Sequence, residues 1–294
     1  MLRIFSLLVV IASVMTFPIL PSEAQATDAP AVTDGTRKIN LSGRQRMLSQ
    51  RMAKAACFAS LGVLTDAHLI QAREAHNLFE QTLKDLRHGS TEQGLTPETS
   101  PRILTELDGV DELWNLYGVS VELAAEDRAA AQISLWQIAD LNLPLLRQLH
   151  RTVGEFERQY GNSGPVHPVL SFAINIAGRQ RMLTQKASKE FCLILAGRQA
   201  AENRQALAAT VALFDQSLHA LTNGNDEMGL PQAPTEEIRT QLRKVQVMWA
   251  PLKAILEAVA NGSKPSMAEI EKVARANDPV LDEMNRAVWM YDQL

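Results

Sequence analysis

Shifted by 135 residues, the chain falls on itself without a gap. Ile39, Asn40, Gly43 through Leu48, Gln50, Lys54, Cys57 and Gly62 meet identical residues between Ile174 and Gly197, which is 12 identities in 24 positions. The same shift carries Phe79 onto Phe214, Gly94 and Leu95 onto Gly229 and Leu230, Trp114 onto Trp249, and Asn142 and Pro144 onto Asn277 and Pro279. Self-similarity at one fixed period restricts the fold to a single unit built twice. The joint is "YGNSGPVHP", residues 160–168, whose Gly and Pro mark a linker.

Only 5% of the residues are aromatic, and Ala, Leu, Gln, Glu and Arg dominate the chain outside its first twenty residues. These are helix formers. The pattern predicts four helices per unit. The first runs from about Arg37 to Leu61 and stops at Gly62; the second covers about Ala67 to Arg87 and is followed by the loop "HGSTEQGLTPET". Ser100 is the predicted N-cap of a third helix, with Pro101 in its first turn, and the fourth spans about Glu126 to Tyr160. Pro144 should bend or break that fourth helix, because proline removes an internal hydrogen bond and crowds the preceding turn. Thr235 takes the cap position in the second unit. Apolar positions three and four apart on helices joined by short loops make an antiparallel bundle. The predicted fold is all-α, with two tandem up-down four-helix bundles at residues 36–158 and 171–292.

The first 26 residues read as a signal peptide. A short positive start, "MLR", precedes the apolar stretch "IFSLLVVIASVMTFPIL", and "PSEAQA" closes with small residues at Ala24 and Ala26. The alternative is an uncleaved anchor; Pro18, Pro21 and the small-residue exit favour cleavage and a periplasmic product. The formal net charge of −4 and the lack of a basic stripe argue against nucleic acid and anionic membranes as partners. An anion, if bound, must be held by a local cationic cluster.

The best-preserved segment is "GRQRMLSQ" at residues 43–50, repeated as "GRQRMLTQ" at residues 178–185. At about 100° per residue, Leu41, Leu48, Met52, Ala55 and Ala59 form one stripe of the first helix, the predicted bundle core. Arg46, Gln50, Gly43, Ala53 and Cys57 lie on the opposite side, and Arg181, Gln185, Gly178 and Cys192 do so in the second copy. Glycine inside a helix costs about 1 kcal/mol against alanine, so Gly43 and Gly178 suggest close approach of another helix. If the two first helices meet in parallel along these faces, Arg46 comes against Arg181. Two such charges about 6 Å apart repel by roughly 3 kcal/mol, which one anion between them relieves. Paired guanidinium donors suit carboxylate, nitrate or nitrite, and Gln50 and Gln185 can add amide donors. The same pairing opens two fates for Cys57 and Cys192, a disulfide or two buried thiols.

The stretch "INLSGRQRMLSQRMAKAA", residues 39–56, resembles the first helix of the PilJ-type domain, the N-terminal ligand-binding domain of type IV pili methyl-accepting chemotaxis transducers. More loosely, the units are similar to the sensing domain of NarX-type nitrate/nitrite kinases. That resemblance implies a periplasmic four-helix bundle that pairs across its first helices, with nitrate held at the interface by one arginine from each partner. By motif position those arginines are Arg46 and Arg181. The relatives pair two membrane-anchored copies, whereas both copies here lie on one polypeptide. Arg44, Arg51, Arg179 and Lys186 share the pattern, with ion pairs to neighbouring helices as their expected role.

No C-x-x-C, C-x-x-C-H or H-E-x-x-H occurs in the sequence, and its six histidines show no one-turn pairing. Neither a metal, a cofactor nor an enzymatic activity is expected. Two readings remain. One is an exported small-anion sensor with its ligand between the first helices, reporting to a membrane receptor or sensor kinase. The other is a ligand-free interaction module of a chemotaxis, pilus or two-component system.

Overall fold

A computed structural model of the chain describes residues 34–161 and 168–294. The predicted signal peptide and most of the linker lie outside the described residues. Unit 1 comprises α1 (Asp34–Ser60), α2 (Thr65–His88), α3 (Pro101–Ala124) and α4 (Arg128–Tyr160). Unit 2 comprises α5 (Pro168–Leu195), α6 (Ala200–Asn223), α7 (Glu236–Ala260) and α8 (Met267–Asp292), with a two-stranded ribbon, β1 (Gly224–Asn225) and β2 (Leu230–Gln232), between α6 and α7. In both units each helix packs on its sequence neighbours and the first packs on the fourth, which closes an antiparallel four-helix ring.

The repeat is legible in the turns and the core. α1 and α5 each end in a glycine of positive φ, Gly62 at 77° and Gly197 at 72°. Val63 and Arg198 then donate back to the carbonyls of Phe58 and Leu193, which satisfies groups the helix end would otherwise orphan. Phe79 and Trp114 in unit 1, and Phe214 and Trp249 in unit 2, hold their rings 4.2 Å apart at the same level of each core. Gln45 and Gln180, the middle residues of the repeated motif, donate to the carbonyls of Phe79 and Phe214 at 2.9 and 3.0 Å and pin the second helix to the first.

Two local expectations change. Ser100 precedes α3 without a side-chain capping bond, whereas Thr235 accepts from Ile238 and Asp127 caps α4 by accepting from Ala130. Pro144 does not break its helix: α4 is continuous from Arg128 to Tyr160, and α8 runs likewise through Pro279. A mid-helix proline costs about 3 kcal/mol. Leu145, Leu146 and Leu149 are buried just past Pro144, and Asn142 just before it anchors α4 to α1 by donating to the carbonyl of Ser49 at 3.0 Å. Packing on both sides of the proline outweighs the lost bond.

Candidate functional site: the seam between the units

α1 and α5 are each packed by the second helix and the fourth helix of their own unit and by each other. They lie parallel. Arg181 donates across to Asn40 Oδ1 at 2.9 Å near the N-terminal ends, and Cys57 and Cys192 are joined by a disulfide, Cα atoms 6.1 Å apart, near the C-terminal ends. The face opposite each bundle core is therefore a second interior. It buries polar residues: Ser49, Gln50, Lys54, Thr184 and Gln185 are wholly enclosed, and Arg46 and Arg181 retain 6% and 8% of their exposure.

The two arginines use this interior differently. Arg181 crosses the seam to Asn40 and also donates to the carbonyl of Gly178. Arg46 leans toward its own α4, 3.3 Å from His150 Nδ1. Its environment is cationic. Burial lowers the Arg46 pKa to about 10, with Glu157 working in the other direction and Arg179 in the same one. His150 is held down to about 4 by burial and then by Arg46, Arg179 and Lys186. Among the described residues Glu157 is the acid that acts on Arg46, no ion pair joins the two, and one Glu157 oxygen is buried without a protein partner. Burial raises the Glu157 pKa, and Arg46 and Arg179 only partly offset that. Arg46 Nε is likewise buried without a protein partner.

Each remaining motif residue has a definite place. Over Gly43 and Gly178 lies the guanidinium of the arginine three residues on, 3.5 Å from where a Cβ would stand, and no neighbouring helix comes within 4 Å. The glycines thus do not mark a close helix approach, and a Cβ at either would meet its own arginine at ordinary contact distance. The amide nitrogens of Gln50 and Gln185 are taken up by Ser49 Oγ and Asn277 Oδ1, so their donors serve the protein, while both amide oxygens stay buried without a partner. Arg44 donates to Thr82, and Lys186 pairs with Glu190 and donates to Thr210. Arg51 crosses the seam to Asp278 at 3.4 Å.

Below the arginines sits a layer that motif reading passed over. Lys54 of α1 donates to Asn277 of α8 at 3.3 Å, and its repeat mate Lys189 of α5 donates to Asn142 of α4 at 3.0 Å. These are reciprocal contacts, each lysine reaching into the other unit. Both asparagines brace the seam, Asn142 by donating to the carbonyl of Ser49 and Asn277 to that of Thr184. The layer departs from symmetry in its acids: Asp278 lies 2.9 Å from Lys54, whereas Leu143 stands at the position equivalent to Asp278 and the acid acting on Lys189 is Glu190 of its own helix. All four polar residues were visible as identities at the 135-residue shift, which was the signal available for finding them.

Comparison with known proteins fits this geometry. The family model "Type IV pili methyl-accepting chemotaxis transducer N-term" matches residues 33–138 and again residues 170–274, most of the chain. The chain belongs to the PilJ family. Its PilJ units are two copies, one per bundle. The methyl-accepting chemotaxis protein McpN of Pseudomonas aeruginosa is 35% identical to this chain over 115 residues, covering 39% of the chain and 21% of that relative. The chain thus matches about a fifth of the curated relative's length. Among the described residues no helix is long and apolar enough to cross a membrane, and no three His, Cys, Asp or Glu side chains are grouped to hold a metal.

Proposed function

We propose that this chain is an exported sensory and interaction module of a chemotaxis or pilus signalling system, non-catalytic and acting in the periplasm through a separate receptor or kinase. The observation that carries the reading is the seam. Two PilJ units are fused along α1 and α5 by a disulfide and by reciprocal lysine–asparagine contacts, so one chain holds a complete pair of first helices. The outer helices are left to present surfaces to a partner. The apolar N-terminal stretch supports export. The test is titration of the mature protein against purified periplasmic domains of the transducers and pilus components of its source cell, followed by light scattering. Saturable complex formation with one of them supports the reading, and none with any sinks it.

A second reading is favoured by a specific observation, the buried Arg46 with no carboxylate in ion-pair range among the described residues and its Nε unmatched. On this reading a small planar anion, nitrate or nitrite first and a carboxylate next, enters the α1–α5 seam. Arg46 and Arg181 hold it beside Gly43 and Gly178, and Gln50 and Gln185 line the floor. Calorimetry with nitrate, nitrite and acetate is expected to give heat that disappears in an Arg46→Ala, Arg181→Ala protein. Silence across that panel in the unaltered protein removes the anion from the account and leaves the interaction reading in place.

A further inference from the structure

The two units differ most usefully where they face outward. On α3, Leu116, Val119 and Leu123 are 55%, 63% and 41% exposed. They stand at i, i+3 and i+7, so they form one continuous apolar ridge roughly 10 Å long. The buried residues of the same helix, Val110, Trp114, Tyr117 and Val121, lie on the opposite side, so the ridge points away from its own bundle. Glu112 stands on the same face about one turn before it, Glu126 follows in the turn just past α3, and Glu122 lies along its flank; all three are exposed and none forms an ion pair among the described residues. Unit 2 has no such ridge. Pro251, Ala254 and Ala258 stand at the three apolar positions, Val247 and Asn261 at the two end glutamates, and Glu257, at the flanking position, lies 3.9 Å from Lys253. The helix as a whole carries five carboxylates against one arginine, whereas α7 carries four cations against three carboxylates. An isolated exposed leucine is ordinary. Three in a seam with unpaired acids at both ends, present in one copy of a duplication and absent from the other, mark a surface specific to unit 1.

We propose that this α3 ridge docks a basic amphipathic helix of another protein, laid along Leu116, Val119 and Leu123 with lysine or arginine against Glu112 and Glu126. The spacing is that of a two-turn helix–helix seam, in which a and d positions pack and flanking charges choose the partner. Charge selects among occupants. A second copy of this chain, paired through the same ridge in either direction, sets carboxylate against carboxylate at both ends, which costs affinity. An anionic membrane surface meets the same repulsion. A cationic helix meets neither. The inference deepens the interaction reading and rests on it.

The probes are two labelled helical peptides of about 20 residues, both with leucines at a and d of two central heptads. One carries lysines at each end of that seam and its twin carries glutamates. In anisotropy titrations of the mature protein, the lysine peptide is expected to bind about ten-fold more tightly than the twin. Leu116→Ala, Val119→Ala, Leu123→Ala, which gives α3 the small-residue face of unit 2, is expected to weaken it by about ten-fold or more with the helical circular dichroism unchanged. Glu112→Lys with Glu126→Lys should reverse the preference between the peptides. Equal binding of both peptides, or full affinity in the triple alanine protein, overturns the proposal. So does sedimentation showing that the unaltered protein self-associates through the ridge. Receptor domains that bind the unaltered and triple alanine proteins alike defeat the ridge but leave the interaction reading standing. Peptides that behave as expected while no receptor domain binds do the reverse.

Discussion

Asp278→Ala is expected to destabilise the protein by about 2–3 kcal/mol at pH 7, although Asp278 itself is about a third exposed. The effect falls on Lys54, which has no exposure at all and whose pKa is held at about 8, burial lowering it and Asp278 working in the opposite direction. Stranding a buried charge costs up to about 5 kcal/mol where the charge cannot escape. Lys54 can escape by losing its proton, which limits the electrostatic loss to about 1.4 kcal/mol for each pH unit between its pKa and neutrality. Gln71, which donates to Asp278 at 2.5 Å, and Arg51 lose their partner as well, adding about 1 kcal/mol. Urea midpoints check the loss. The companion Lys54→Met, Asp278→Ala should recover most of it, since apolar replacement of a buried pair is often neutral. A single-variant loss under about 0.5 kcal/mol would show that the seam does not depend on this pair.

The lysine layer also sets a pH dependence with a defined sign. Lys54 and Lys189 titrate near 8 in the folded protein, both displaced downward by burial from an ordinary value of 10.5. Between those values the unfolded chain still holds protons that the folded chain has released. Stability therefore rises with pH from about 8 to about 10, by up to about 1.4 kcal/mol per pH unit for each lysine. Below pH 8 both states are protonated and the cost of the buried charge is present in full. Leu143→Asp places beside Lys189 the carboxylate that Lys54 already has. It should raise stability at pH 7 by about 1 kcal/mol and flatten the rise above pH 8.

How far the seam was readable follows from the same residues. The duplication fixed two bundles, and the angular spread of Arg46, Gln50 and Cys57 fixed a second buried face on the first helix. That face was legible because glycine and cysteine stood where a wet helix carries Lys or Glu. Partner choice was not. Arg46 and Arg181 occupy equivalent places in the sequence, yet one meets His150 and the other Asn40. Asn285 stands at the position equivalent to His150, so the difference lies on the fourth helices and no pattern within the motif encodes it. The glycines were misread for a related reason: helix geometry gives their face but not that an arginine one turn on folds back over it. Lys54 and Asn142 both stand among the repeated identities, but each finds its partner in the other unit, Asn277 for Lys54 and Lys189 for Asn142, and one-dimensional spacing carries no information on which unit a side chain enters. Pro144 failed as a breaker because buried packing, absent from any local rule, holds both sides of it.

Removing the disulfide should have the largest effect of all. Cys57 and Cys192 close a loop of 135 residues and both are fully buried. The chain-entropy account gives about 5 kcal/mol for a loop of this length, and removal of native bridges costs about 2–5 kcal/mol. Cys57→Ala with Cys192→Ala is expected to lose an amount in that range, including about 1 kcal/mol for the two sulfurs removed from a packed site. The two contributions separate experimentally. Unfolding the unaltered protein with a thiol reductant present removes the cross-link but keeps the sulfurs, so its midpoint should fall between those of the oxidised protein and the double alanine variant. Without denaturant the same reductant should act slowly, because neither sulfur is reachable from solvent. The rest of the seam tells what survives. The short connection between Tyr160 and Pro168 keeps the units at high effective concentration, and the Lys54–Asn277 and Lys189–Asn142 contacts do not involve sulfur. The variant should thus keep its helical content and its paired first helices at 25 °C, losing stability rather than architecture. Midpoints that coincide with and without reductant, within about 0.5 kcal/mol, would mean that the reciprocal polar layer alone holds the two halves together.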